Sequence, residues 1–177
     1  SSGSDTFTIT QASSTVTVTC TPSSVVYTGA AHDICTAEAT GAGMTPVTLP
    51  VTYSPDNVNV GTVTASASWP GDTNHTGNSG SSTFTITKAT STTTVSCTPG
   101  SFTYTGSATT PCTATVTGAG GLNTTATITY TNNVNVGTAT ASASYPGDSN
   151  HTGSSGSDTF AITPATVTVT PNSGQTK

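Results

Sequence analysis

Thr15-Val16-Thr17-Val18-Thr19-Cys20 alternates an apolar residue with a hydroxyl at every step. In an extended chain successive side chains point to opposite faces, so Val16, Val18 and Cys20 share one face and the threonines the other. Thr62 to Trp69 repeats the pattern, as does Thr138 to Tyr145. Phe84 with Ile86, and Phe160 with Ile162, mark the inner face of a further strand in each half. Gly and Pro punctuate these runs at Tyr27-Thr28-Gly29, Gly41-Ala42-Gly43 and Trp69-Pro70-Gly71-Asp72, which predicts turns there.

The pattern recurs. Ser4-Asp5-Thr6-Phe7-Thr8-Ile9-Thr10 returns as Ser81 to Thr87 and again as Ser157 to Thr163, its phenylalanines 77 and 76 residues apart. Cys20, Tyr27, Cys35 and Tyr53 map onto Cys97, Tyr104, Cys112 and Tyr130 at a step of 77. One residue is lost where Ser54-Pro55-Asp56-Asn57 becomes Thr131-Asn132-Asn133, a change surface loops tolerate. The expected organisation is a closing strand over 1–10, full repeats over 11–87 and 88–163, and an opening strand over 164–177. Either the sequence samples a longer array, or adjacent copies complete each other end to end or by exchanging strands. Short strands at this spacing, with no helical period, predict all-β sandwiches of about 76–77 residues. The brief β-branched joints Thr87-Lys88-Ala89-Thr90 and Thr163-Pro164-Ala165-Thr166 predict an extended, semi-rigid rod.

Composition changes the picture of the surface. Charged residues are 5% of the chain, against about 25% in ordinary globular proteins. Arg is absent and the lysines are Lys88 and Lys177, so Thr and Ser must solvate the outside. A net charge of −5 gives no electrostatic footprint for nucleic acid or anionic lipid. No apolar run is long enough for membrane insertion.

Four cysteines allow three pairings. Equal spacing favours Cys20–Cys35 and Cys97–Cys112, one staple per repeat, each stabilising by about 3 kcal/mol in the chain-entropy account. A zinc site would need close Cys or His pairs, which are missing. Disulfides place the chain outside the reducing cytosol, so an extracellular or cell-surface location is expected.

Asp72-Thr73-Asn74-His75-Thr76-Gly77, repeated from Asp148 to Gly153, has oxygens at alternate positions and Gly sixth, like the start of a calcium loop. Asp72, Asn74, Asp148 and Asn150 are therefore weak metal candidates, but Thr83 and Thr159 stand where a bidentate carboxylate belongs. The plainer expectation is no metal, with each aspartate bonding local backbone N–H groups. Asn74, Asn123 and Asn150 begin glycosylation sequons, and the outward Thr and Ser rows could carry O-linked sugars.

Thr64-Ala65-Ser66-Ala67-Ser68-Trp69-Pro70-Gly71-Asp72-Thr73-Asn74-His75-Thr76-Gly77 and Ala141 to Gly153 resemble the aromatic-x-Gly-Asp-x-Asn motif of bacterial immunoglobulin-like repeats. Tyr104-Thr105-Gly106 and Asn133-Val134-Asn135-Val136-Gly137-Thr138 are similar to glycine-rich repeats of large bacterial surface proteins. The resemblance spans nearly the whole chain and implies tandem Ig-like sandwiches in stalks of adhesins and other secreted proteins, with no catalytic residues shared. The four cysteines depart from the usual cysteine-free pattern.

Chemistry has little to stand on. Glu38, His32 and Asp33 are replaced in the second repeat by Thr115, Thr109 and Thr110, and no nucleophile elbow, phosphate loop or zinc-protease motif occurs. Leu49-Pro50-Val51-Thr52-Tyr53 has Tyr53 where a sorting signal needs Gly, and reads as a strand. Lys88 is replaced by Gln11 and Pro164, against a Lys–Asn isopeptide staple. No enzyme and no cofactor are expected. The leading expectation is a structural component of an extracellular fibre or stalk whose partners are neighbouring copies. The alternative is an adhesin or carbohydrate-binding module using Trp69 and Tyr145 as an aromatic shelf, although alternation puts both on the alanine face. Ice binding by Thr-x-Thr rows is a poorer third, since sandwich sheets twist.

Overall fold

The computed structural model describes residues 3–170 and Gly174, and over these the chain is all-β. Among the described residues the only helical turn is a 3-10 segment at Ala119–Gly121. Threonine explains much of this, because a β-branched side chain resists helix and packs well on a pleated surface. Residues 1–2, 171–173 and 175–177, the outer parts of the expected flanking strands, lie outside the described residues. The chain divides between Ala89 and Thr90 into two compact units.

In the first unit the strands are β1 (Ser14–Cys20), β2 (Ser24–Val26), β3 (Cys35–Gly41), β4 (Val47–Leu49), β5 (Thr52–Ser54), β6 (Gly61–Gly71) and β7 (Thr76–Thr87). They form one sheet in the order β1-β3-β4 and another in the order β2-β7-β6-β5. All pairings are antiparallel except that of β2 with β7. Alternation fixes the register: Val16 lies opposite Ala39, and Val18 opposite Ala37. A slip by one residue would turn the threonine row inward.

Val16, Ala37 and Ala39 face inward from the first sheet, and Val63, Ala65, Ala67, Phe84 and Ile86 from the second. The alanines keep the layers close, and Phe84 supplies the bulk, with the Tyr53 ring edge-on at 6.2 Å. At Gly80 the layers come closer still. A Cβ there would strike the backbone carbonyl oxygen of Val16.

The second unit has β8 (Ser91–Cys97), β9 (Ser101–Thr103), β10 (Cys112–Gly118), β11 (Asn123–Thr125), β12 (Ile128–Thr131), β13 (Gly137–Tyr145) and β14 (Ser154–Thr163). Its sheets run β8-β10-β11 and β9-β14-β13-β12, with β9 parallel to β14. Phe160 sits among Ala139, Ala141, Ala143 and Ile162 and is met edge-on by Phe102 at 5.6 Å and Tyr130 at 6.4 Å. Gly156 abuts the Thr93 carbonyl as Gly80 abuts that of Val16.

Three local features differ from the sequence reading. Leu49 to Tyr53, expected as one strand, is interrupted at Pro50-Val51, where the chain passes from β4 in one sheet to β5 in the other. Trp69-Pro70-Gly71, expected as a turn, ends β6, and Gly71 pairs with Thr76, so the reversal tightens onto residues 72–75. Only glycine fits there: φ is +88°, and a Cβ would lie 2.7 Å from the His75 carbonyl. The flanking phrases form no strand in residues 3–10 or 164–170. Phe7 and Ile9 are 86% and 85% exposed, while their counterparts Phe84 and Ile86 are buried. No described helix is long and apolar enough to cross a membrane.

Candidate functional site

Disulfides join Cys20 to Cys35 and Cys97 to Cys112, accounting for all four cysteines. Each joins directly opposed residues at the end of an antiparallel ladder, β1 with β3 and β8 with β10. A tyrosine from the other sheet reaches each staple. The Tyr53 hydroxyl accepts the N–H of Cys35 at 3.4 Å, and that of Tyr130 accepts the N–H of Cys112 at 3.1 Å.

The most structured polar cluster in each unit is the loop after the long strand. Asp72 Oδ1 accepts the backbone N–H groups of Asn74 and His75 at 2.8 and 2.7 Å, which shapes the reversal. The same oxygen lies 2.9 Å from Nδ1 of His75. On the far side of the ring, Nε2 lies 2.9 Å from the Ala42 carbonyl oxygen, in the turn between β3 and β4. Asp148 and His151 repeat the arrangement, with Nε2 2.9 Å from the Ala119 carbonyl. The two histidine side chains are only 8% and 5% exposed. Each lies on a glycine: a Cβ on Gly41 would come within 3.0 Å of the His75 ring, and one on Gly118 within 3.1 Å of that of His151.

The electrostatics follow from these contacts. The Ala42 carbonyl, and then the Asp72 carboxylate, raise His75 above its ordinary value. The His75 ring in turn holds Asp72 below the usual carboxylate range, helped by the N–H of Asn74. Asp148 falls to about 2, chiefly because the Tyr145 hydroxyl donates to its Oδ2 at 2.8 Å. That contact pushes the Tyr145 phenol up. Trp69 holds the matching place in the first unit. Its ring packs against the core cluster containing Val16 and Ala67, and its buried Nε1 has no hydrogen-bond partner among the described residues.

These loops bear on the weak metal candidates. The carboxylate oxygens of Asp72 and Asp148 accept from local N–H groups, and Asn74 and Asn150 supply two of those donors. Among the described residues no three His, Cys, Asp or Glu gather as a metal site would require. What the arrangement does chemically is tie a hairpin to a turn of the opposite sheet. Of the sequon residues, Asn74 and Asn123 are exposed, the latter on edge strand β11, while Asn150 is half-buried.

The remaining candidates are scattered. His32 meets the Thr28 hydroxyl at 3.3 Å, Asp33 accepts from Asn57, and Glu38 is exposed on β3. An open groove of about 440 Å³ lies over β12, β13 and β14, lined by Thr127, Thr129, Ser142, Ser144, Ser155 and Ser157, with no charged or aromatic side chain. Sequence reasoning noted His75 and His151 only as sequon and loop members, and missed the carbonyls of Ala42 and Ala119 as their partners. The available signal was that Asp, His and the turn glycine recur together in both repeats. Neither a family model nor a curated protein matches the chain.

Proposed function

We propose that this chain is part of an extracellular bacterial fibre or surface-protein stalk built of tandem Ig-like repeats, with glycans on its hydroxyl faces and exposed sequons. The observation that carries this reading is duplication. Staple, tyrosine tie and histidine loop stand at matching places in both units, whereas His32, Asp33 and Glu38 belong to one repeat alone. Selection for a spacer preserves what holds each repeat together, while selection for chemistry would preserve a site. The division into a three-stranded and a four-stranded sheet also suits an Ig-like sandwich of seven strands. Two disulfides support an oxidising compartment. The partners are neighbouring copies of the repeat, joined end to end or by strand exchange.

Negative-stain images of the secreted protein should show thin rods whose length grows in equal steps with repeat number. Compact or randomly bent particles would overturn the proposal. Removing residues 1–10 should abolish assembly if strands are exchanged, and leave it intact if repeats simply abut.

A further inference from the structure

A neutral imidazole carries one N–H and one lone pair, so it can donate to only one neighbour. His75 faces an acceptor on each side: the Asp72 carboxylate at Nδ1 and the Ala42 carbonyl at Nε2, both at 2.9 Å. Neither contact is with a group that could donate instead, since a backbone carbonyl has no proton and Asp72 is held ionised. Only the doubly protonated ring satisfies both. Deprotonation would leave a lone pair aimed at one of two oxygens, on a ring that is itself buried. The same two-sided geometry at His151 is an internal repeat of the observation.

We infer that His75 is a proton-operated clasp: doubly protonated, it fastens the 72–75 loop to the turn after β3, and losing the proton frees that turn. The ring's neighbours are Gly41, the Ala42 carbonyl and Asp72, with Ala12 bridged to the His75 backbone, and the one titratable side chain among these is Asp72. No second charge is there to compensate when the ring becomes neutral.

The clasp reaches further than its own turn. Ala12 N–H donates to the Asn74 carbonyl, Thr76 N–H to the Ala12 carbonyl, and Gln11 Nε2 to the Asp72 carbonyl. The segment leading into the first unit is thus strapped to the loop that His75 holds. Alkaline loosening of the loop therefore loosens that lead-in as well, and the inference goes beyond the stalk reading because it holds whatever the repeats support.

The sign is set by the raised value of His75. Clasp stability is fully present below the ordinary 6.5 and is lost as pH rises through the higher folded value. Nitrogen-15 NMR of the whole chain, with signals assigned through His32→Gln and His151→Gln variants, tests this directly. At pH 6 both His75 ring nitrogens should carry protons, with a titration midpoint above 6.5. Protection of the Met44 N–H, which closes the turn onto Gly41, should then fall across the same midpoint after correction for intrinsic exchange. In a folded His75→Gln variant that pH dependence should vanish. A single protonated ring nitrogen at pH 6, a midpoint at or below 6.5, or Met44 protection that ignores the titration would overturn the inference.

Discussion

The hydroxyl of Tyr130 accepts the backbone N–H of Cys112 at 3.1 Å and donates to the carbonyl of the same residue at 3.4 Å. Tyr130 is on β12 of the four-stranded sheet and Cys112 opens β10 of the three-stranded one. One phenol therefore ties the two layers at the disulfide. Tyr130→Phe leaves a half-buried N–H without its partner and should destabilise the second unit by about 1–3 kcal/mol. Tyr53→Phe should cost less, because its bond to Cys35 is longer at 3.4 Å. Urea unfolding followed by hydrogen-exchange mass spectrometry, which separates the units by peptide, would check both.

Reduction should act on the units alike. Each staple closes a loop with a sequence separation of 15, which corresponds to about 3 kcal/mol on chain-entropy grounds. Trp69 is the only tryptophan and sits in the first unit. Its fluorescence should show the urea midpoint of that unit falling on reduction, and a Cys20→Ser/Cys35→Ser variant should reproduce the fall. An unchanged midpoint would mean the staple constrains little in the unfolded chain.

Close approach of the layers makes a sharper prediction. A Cβ at Gly156 would meet the Thr93 carbonyl oxygen, and one at Gly80 that of Val16, with paired backbone on both sides and no room to yield. Gly80→Ala or Gly156→Ala should therefore cost about 3 kcal/mol through overpacking. Gly41→Ala should cost less, since its Cβ meets a ring at 3.0 Å and a carbonyl at 3.3 Å. Gly100→Ala has open space and should be near neutral. Thermal unfolding of the four variants should rank them in that order.

Alternation made the strands legible because inner and outer residues differ at every step. Val16, Val18, Ala65, Ala67, Phe84 and Ile86 all lie in or against the core. Contacts between layers left no such trace. The parallel pairing of β2 with β7 joins segments some 60 residues apart, and neither carries a mark of its partner. The clasp was illegible for a related reason: half of it is the Ala42 carbonyl, a backbone group that any residue would supply. The Gly80 contact is hidden likewise, since a strand glycine reads first as a weak point. The loop aspartates were legible as local caps because their N–H partners are two and three residues away.

The two units carry different aromatics where the long strand ends, Trp69 in one and Tyr145 in the other, and the difference can be exchanged. Trp69→Tyr removes an indole N–H that is buried without a partner among the described residues. It also brings in a hydroxyl where Tyr145 uses its own to bond Asp148. The smaller ring gives up some packing against Val16 and Ala67. Because an orphaned donor costs about 1–3 kcal/mol, the exchange should leave the first unit at least as stable as before. Hydrogen exchange in β1 and β6 would show it, and a clear loss of protection would mean ring packing outweighs the orphan.

The bond from Tyr145 to Asp148 governs acid stability in the second unit. Asp148 lies at about 2, below its ordinary 3.8, so its ionised form is favoured in the folded unit. Its contribution is present above 3.8 and is lost as pH falls through about 2. The Tyr145 hydroxyl is the largest cause of that depression. Tyr145→Phe should therefore move the Asp148 titration upward, and the second unit should begin to lose protection at a higher pH than in the parent chain. Asp148→Asn removes the titrating group and should flatten the acid limb of that unit, lowering its stability at neutral pH because the carboxylate bonds to His151 are weakened. Carbon-13 titration of the Asp148 carboxyl in parent and Tyr145→Phe chains decides the matter, since an unmoved midpoint would mean the phenol only packs.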